Sequence, residues 1–422
     1  MTRVVVTGLG VIAPSGVGAD EHWKSILAGE LSVRRISAFD PTRYATTLAG
    51  QVEGFEVAEH VDPRLAVQTD RWTWMSLAAT QMALDDARYD PANHSPYATS
   101  VALAAGSGGN EFGQNEMTGL YTRGPRAVGA YQSIAWFYAA STGQSSIRHA
   151  TKGPASVLVT EGAGGLDSLG HARRVVRRGT TAVIAGGTEA PLSPYALTCY
   201  TTSGRLTTSA DPRAGYKPFD EQANGYAPGE GGAVLLVEDR RTALERGAPQ
   251  IYGEIAGYGS THDAFDPNAP AEDATQMARA MRLAMADAGV TADDVDLVVA
   301  DAAGVAELDA LEASALRMVF GDRVGSVPVT APQGFVGRLN AGGSALSVAT
   351  ALLAIREGVA PAVGNLDTPH PAYGLDLVRV PRELDLDVVL INARGFGGFN
   401  SSMVLRRVAA ADLERVAEAG AS

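Results

Sequence analysis

Residues 158 to 171 read LVTEGAGGLDSLGH. A β-rich run from Ser156 to Thr160 ends in a tight corner of Glu161, Gly162, Ala163, Gly164 and Gly165, and a helix is expected from Leu166-Asp167. A strand, a sharp turn and a helix N-terminus is how many enzymes present a nucleophile, because the turn exposes one side chain and the helix dipole favours negative charge there. No Ser, Cys, Thr or Lys lies between Glu161 and Gly165, so the corner has the form of a nucleophile's seat and no nucleophile on it. The single cysteine, Cys199, has no activating base or cation close in sequence and reads as a small buried apolar residue. None of the seven histidines forms an HxxxH or HxxH pair, and with one Cys a metal site has no support. Gly8-Leu9-Gly10-Val11-Ile12-Ala13 follows a strand and loosely fits a dinucleotide loop. Pro14-Ser15-Gly16 interrupts the helix that such a loop needs, so a Gly-rich turn under a sheet is the better reading. Arg173, Arg174, Arg177 and Arg178 near a helix end read as charge that complements the helix C-terminus, ahead of a basic spot for an acidic carrier protein.

The elements that must position such residues alternate. Short apolar runs (Val4-Val5-Val6, Val101 to Ala104, Ser156 to Thr160, Ala182 to Ala185, Val234 to Val237) read as buried strands, and Ala/Leu/Met-rich stretches between them carry helical spacing. The second half repeats the order of the first. The helix MSLAATQMALDDAR at 75 to 88 answers TQMARAMRLAMADAG at 275 to 289. VALAAGSGG at 101 to 109 answers VDLVVADAAG at 295 to 304, and GGLDSLGHARRVVRRG at 164 to 179 answers GGSALSVATALLAIREG at 342 to 358. This is a duplicated α/β unit jointed near Asp239 to Pro249, with halves 1–245 and 246–410 and a surface tail at 411–422. Two such halves packed through their central helices make a five-layered αβαβα body.

Bulk properties narrow the function. A chain of 422 residues, 45% hydrophobic and 19% charged, can bury a large core, and 48 glycines allow many tight turns and close backbone approaches. The net charge of −13 argues against nucleic acid, since phosphate binding needs a basic face. The longest apolar stretches, such as Ala345 to Ile355, are too short for a bilayer, so no membrane partner is expected. MTRVVVTGLG runs straight into a strand with no leader pattern, and the lone Cys fits a reducing cytoplasm.

Two stretches are specific. GYKPFDEQANGYAPGEGGAVLLVED at 215 to 239 combines a Pro218-Phe219-Asp220 turn, a Gly229-Glu230-Gly231-Gly232 corner and a buried strand. ARGFGGFNSSMVL at 393 to 405 is a second Gly/Phe corner, with Phe396 and Phe399 as pocket walls. With the opening VTGLGVIAPSG, these resemble the signatures of the β-ketoacyl synthases of the thiolase fold. AWFYAASTGQSSIRHATKGPASVLVTE, AGGLDSLGHARRVVRRGT and GVAELDALEA are similar, more narrowly, to the chain length factors, the β subunits of type II polyketide ketosynthases. The resemblance runs from Arg3 to about Arg407.

That resemblance implies an answer to the empty corner. An active ketosynthase needs a corner Cys, two His and a nearby Lys. Those positions correspond here to Gly162, Asp301, Arg338 and Gln333. Glycine holds no thioester, and a carboxylate at 301 repels a developing enolate. Asp301 and Arg338 are expected to pair and fill the old site. Many chain length factors carry Gln at the corner, for which a decarboxylating role has been suggested; Gly162 removes it. The resemblance further implies a heterodimer with an active ketosynthase α subunit, joined through the strand from Pro154 to Thr160. It implies no resident cofactor, with acyl chains arriving on the phosphopantetheine arm of an acyl carrier protein. It also implies a chain-length gate at Asn110, Gly113 and Met117, with Phe112 offset from that stripe. The competing reading is a stand-alone thiolase-fold acyl or malonyl decarboxylase or acyltransferase.

Overall fold

The computed structural model describes residues 2–408, so the tail expected at 411–422 lies outside the described residues. The main sheet contains β1 (Val4–Ala13), β2 (Thr99–Ala104), β3 (Ala155–Leu158), β4 (Ala182–Glu189), β5 (Gly231–Asp239), β6 (Gly253–His262), β7 (Leu297–Val299), β8 (Pro328–Thr330), β9 (Asp376–Leu377), β10 (Val388–Gly395) and β11 (Phe399–Arg406). Their order across the sheet is β9-β8-β7-β10-β11-β6-β1-β5-β4-β2-β3. Read outward from the β6–β1 contact, the two sides have one topology. β1 and β6 each pair antiparallel with a neighbour (β5, β11), which pairs antiparallel with the next (β4, β10). A parallel run then follows on each side (β2-β3, β7-β8), and β9 extends the second side by one further parallel strand. Strand order and direction thus repeat between the two sides.

Six helices build the layers: α1 (Arg71–Asp86), α2 (Asn110–Arg123), α3 (Gly164–Arg177), α4 (Thr275–Ala288), α5 (Ala306–Phe320) and α6 (Asn340–Glu357). α3 and α6 pack on each other and on strands of both halves; α1 covers β1 and β5 from outside, and α4 covers β6 and β11. The strands are apolar on both faces because both are covered. On β5, Ala233, Leu235 and Val237 join the central core, while Val234 and Leu236 join the outer core with Trp72 and Met75 of α1. On β10, Val389, Ile391 and Ala393 face the centre and Leu390 faces the outer core of the second half. This is the expected αβαβα body.

Two expectations are corrected. The stretch Gly8 to Ala13 is neither a phosphate loop nor a turn: β1 continues through it to Ala13. Its glycines serve packing, since a Cβ on Gly8 or Gly10 would collide with the carbonyl oxygens of Ala83 and Ala79 on α1. Likewise the helix expected from Leu166 begins at Gly164, after a 3-10 turn over Glu161–Ala163. Gly165 brings its backbone against α6: a Cβ there would stand 2.7 Å from Ser344 Oγ, and its N–H donates to that oxygen at 3.0 Å. Among the described residues no helix is long and apolar enough to cross a membrane.

Candidate functional site

Three corners meet where α3 and α6 begin, and each holds a non-glycine residue in the left-handed region: Glu161 (φ 50), Ala302 (φ 48) and Asn340 (φ 49). Such backbone strain persists only where surrounding contacts enforce it, and it gathers at functional sites. The contacts are present. The buried Glu312 carboxylate accepts the N–H groups of Asp301 and Ala302 at 2.9 and 2.8 Å, and Asn340 Nδ2 donates to Tyr200 Oη at 2.6 Å. Burial, then the negative charge of Asp301, raises the Glu312 carboxyl above its ordinary range.

Gly162, Asp301 and, from one short stretch, Gln333 and Arg338 are drawn from three separate segments and line one residual cavity of about 20 Å³, room for a single water molecule. The cavity is small because charged groups fill it. Arg338 grips Asp301 with both ends of its guanidinium, Nη2–Oδ1 at 3.2 Å and Nη1–Oδ2 at 3.3 Å. Its Nη2 also donates to the Arg394 carbonyl at 2.8 Å, and the guanidinium lies 5.7 Å from the Tyr226 ring centroid. Asp301 Oδ1 accepts the Arg394 N–H at 2.9 Å, with Arg394 Nε 3.7 Å from Oδ2. Burial works against the Arg338 charge, but Asp301 and Glu161 outweigh it and hold its pKa well above the usual value. Gln333 Nε2 donates to the Ala300 carbonyl at 2.9 Å and to Ser347 Oγ at 3.1 Å.

Gly162 has no space for a side chain. A Cβ would stand 3.0 Å from Arg338 Nη2 and would collide with the Arg394 carbonyl oxygen. Beside it, one oxygen of Glu161, Oε2, accepts two backbone N–H groups that converge from opposite halves: Gly162 at 2.6 Å and Phe396 at 2.8 Å. A pair of convergent amides is the arrangement that stabilises an oxyanion. Here a carboxylate of the chain itself occupies it.

A cleft of about 60 Å³ leads in from the surface over this cluster, with Glu161, Arg205, Tyr226, Arg338, Phe396 and Phe399 among its walls. Arg205 lies over the Phe396 ring at 4.8 Å, and Phe399 meets His262 edge to face at 4.9 Å. Phe396 and Phe399 line this cleft, while Glu161, Arg205, Arg394 and Tyr226 were not anticipated. For Glu161 the adjacent glycines were a signal; for the others the partner lies too far along the chain.

Comparison with known proteins agrees with this geometry. The family model described as "Beta-ketoacyl synthase, N-terminal domain" matches residues 1–243, and "Beta-ketoacyl synthase, C-terminal domain" matches 252–367. The tetracenomycin polyketide synthase ketoacyl synthase beta subunit of Streptomyces glaucescens is 51% identical over 96% of this chain and 98% of its own length. The chain belongs to the beta-ketoacyl synthase family, among the polyketide ketosynthase beta subunits. Two solved structures share its fold. The ishigamide ketosynthase/chain length factor has a TM-score of 0.90 at 28% identity, covering 97% of this chain and 100% of the other. A type II polyketide acyl-carrier protein in complex with its ketosynthase bound to a hexaketide has a TM-score of 0.88 at 27% identity, covering 96% and 100%.

The remaining candidates of this synthase-family chain lie elsewhere. Asn110, Gly113 and Met117 follow one face of α2; Gly113 is buried, and a Cβ there would reach Trp136 Cδ1 at 3.5 Å, ordinary contact. Met117 is exposed, as are Leu120, Tyr121, Tyr131, Ile134, Trp136 and Phe137 nearby in sequence. Phe112 faces a different cleft, with Asp70, Trp74 and Leu192. Cys199 is exposed, against the expectation of burial, because the helix Pro194–Thr201 turns only Ala196 and Leu197 inward. Arg173, read as charge complementing the helix C-terminus, is buried, with Nη1 2.5 Å from Asp287 Oδ2.

Proposed function

We propose that this chain is the catalytically silent partner of a heterodimeric polyketide ketosynthase, completing the tunnel in which a malonyl-derived poly-β-ketone grows and setting its length. The observation that carries the silence is the closed corner. Gly162 sits at the position that corresponds to the family's reactive Cys, yet it has no space for a Cβ, and Glu161 satisfies both amides that would hold a thioester oxyanion. Asp301 and Arg338, at the positions that correspond to the two catalytic His, are held to each other in an ion pair. The chain arrives at the complex with a formed scaffold and no reactive group.

The partner reading rests on the surface. β3 ends the sheet and is hydrogen-bonded on one side, to β2. An unpaired edge strand is a template for strand addition. Val159 beside it and the exposed apolar residues from Met117 to Phe137 make a face that an active ketosynthase subunit would cover. Relatives named as ketosynthase beta subunits and as ketosynthase/chain length factor support the pairing, and the complex with an acyl-carrier protein supports substrate delivery on a carrier arm. The deciding experiment is co-expression with an active ketosynthase subunit. A stable one-to-one complex that makes ketides, where each chain alone makes none, is expected. Condensation by this chain alone would overturn the reading.

A further inference from the structure

The helix that carries the proposed gate cannot cap itself. Its N-cap is Gly109, which offers no side-chain oxygen to the first turn. A side chain is excluded there, because a Cβ on Gly109 would collide with the Ala135 carbonyl and stand 3.1 Å from Asp70 Cβ. The missing acceptor comes from another element. Asp70, 2% exposed, is the N-cap of α1, where Oδ1 accepts the Trp72 N–H at 3.3 Å. Its second oxygen, Oδ2, accepts the N–H of Phe112 at 2.8 Å. One carboxylate therefore caps two helices, and the second bond falls one residue before Gly113.

We propose that Asp70 is a positioning residue for polyketide length: its second carboxylate oxygen fixes the first turn of α2, and with it the stripe of Asn110, Gly113 and Met117, against the rigid outer helix α1. This rests on the reading of that stripe as the gate. The arrangement differs from an ordinary structural cap in two respects. α1 needs one acceptor and would keep it with a Ser at position 70, so the second oxygen serves α2 alone. The cleft beyond, walled by Phe112, Trp74 and Leu192, leaves α2 space to shift if released. Burial pushes the Asp70 carboxyl up to about 6 even though both helices donate to it, so the charge is held there against a cost.

The test compares Asp70→Ser and Met117→Phe in the heterodimer with an active ketosynthase subunit. Asp70→Ser retains the α1 cap and removes the α2 bond. Hydrogen exchange in peptides spanning 110–118 should accelerate about tenfold or more, the loss expected for one bond to a charged acceptor, with 72–80 unchanged. Released ketides should spread over additional two-carbon lengths at a melting temperature close to the parent's. A parent-like length distribution from Asp70→Ser overturns the inference, whatever its effect on exchange. Met117→Phe separately decides the stripe. If it shortens the product while Asp70→Ser does not, the gate stands and Asp70 is only structural. If Asp70→Ser alters length and Met117→Phe does not, Asp70 positions the helix and the stripe assignment is wrong.

Discussion

Removing Arg338 should damage the protein more than removing Arg338 and the charge of Asp301 together. Asp301 is 6% exposed and has three hydrogen bonds in the site: two from Arg338, at 3.2 and 3.3 Å, and one from the Arg394 N–H at 2.9 Å. Arg338→Leu removes two of them and the nearest cation, leaving the Arg394 guanidinium at 3.7 Å. Stranding one member of a buried pair costs about 3–5 kcal/mol, and the retained Arg394 contacts put this case near 3. In Arg338→Leu with Asp301→Asn, the amide oxygen still accepts the Arg394 N–H and the carboxylate left behind by Arg338 is gone, so roughly 2 kcal/mol should return. The assay is thermal melting of the heterodimer in one buffer. At about 2–4 °C per kcal/mol for mid-sized domains, and less for a chain of this length, the double variant should melt a few degrees above the single one. Equal melting temperatures, or a double variant worse than the single, would refute the pairing as the organiser of this site.

Other outcomes follow from the same geometry. Gly162→Cys should fail to acquire an acyl group and should destabilise by about 1–3 kcal/mol, since its Cβ meets the Arg394 carbonyl and Arg338; thiol labelling and melting together check this. Gly113→Thr should shorten the ketide while the protein stays folded, because a Cβ there meets Trp136 and Gln132 only at ordinary contact distance; mass spectrometry of released products measures the length. The buried Glu189, whose carboxyl burial pushes up to about 7, should make stability fall as pH rises through that value, since the folded state binds the proton more tightly than the unfolded chain with its ordinary value of 4.5. Glu189→Gln should flatten the melting profile between pH 5 and 8, and an unchanged slope would exclude that carboxyl as its source.

The sequence made legible what is local or repeated. The strand–corner–helix at 156 to 177, the paired central helices and the Gly/Phe corner follow from short motifs, and the family resemblance singled out Gly162, Gln333, Arg338 and Asp301, which line one cavity. What escaped depends on distance along the chain. Glu161 meets Phe396 across 235 residues, and Asp70 meets Phe112 across 42. The glycines of β1 read as a turn because their reason, the backbone of α1, is some 70 residues away. Cys199 reads as buried from its apolar neighbours, but a helix with one face turned inward exposes the others.

The central claim is that this chain shapes a reaction it does not perform. Intact-mass analysis of both subunits after incubation of the heterodimer with malonyl- and acyl-loaded carrier protein tests it most directly. Acyl mass is expected on the active ketosynthase subunit alone, with this chain at its unmodified mass throughout turnover. An acyl adduct on any residue of this chain would contradict the account.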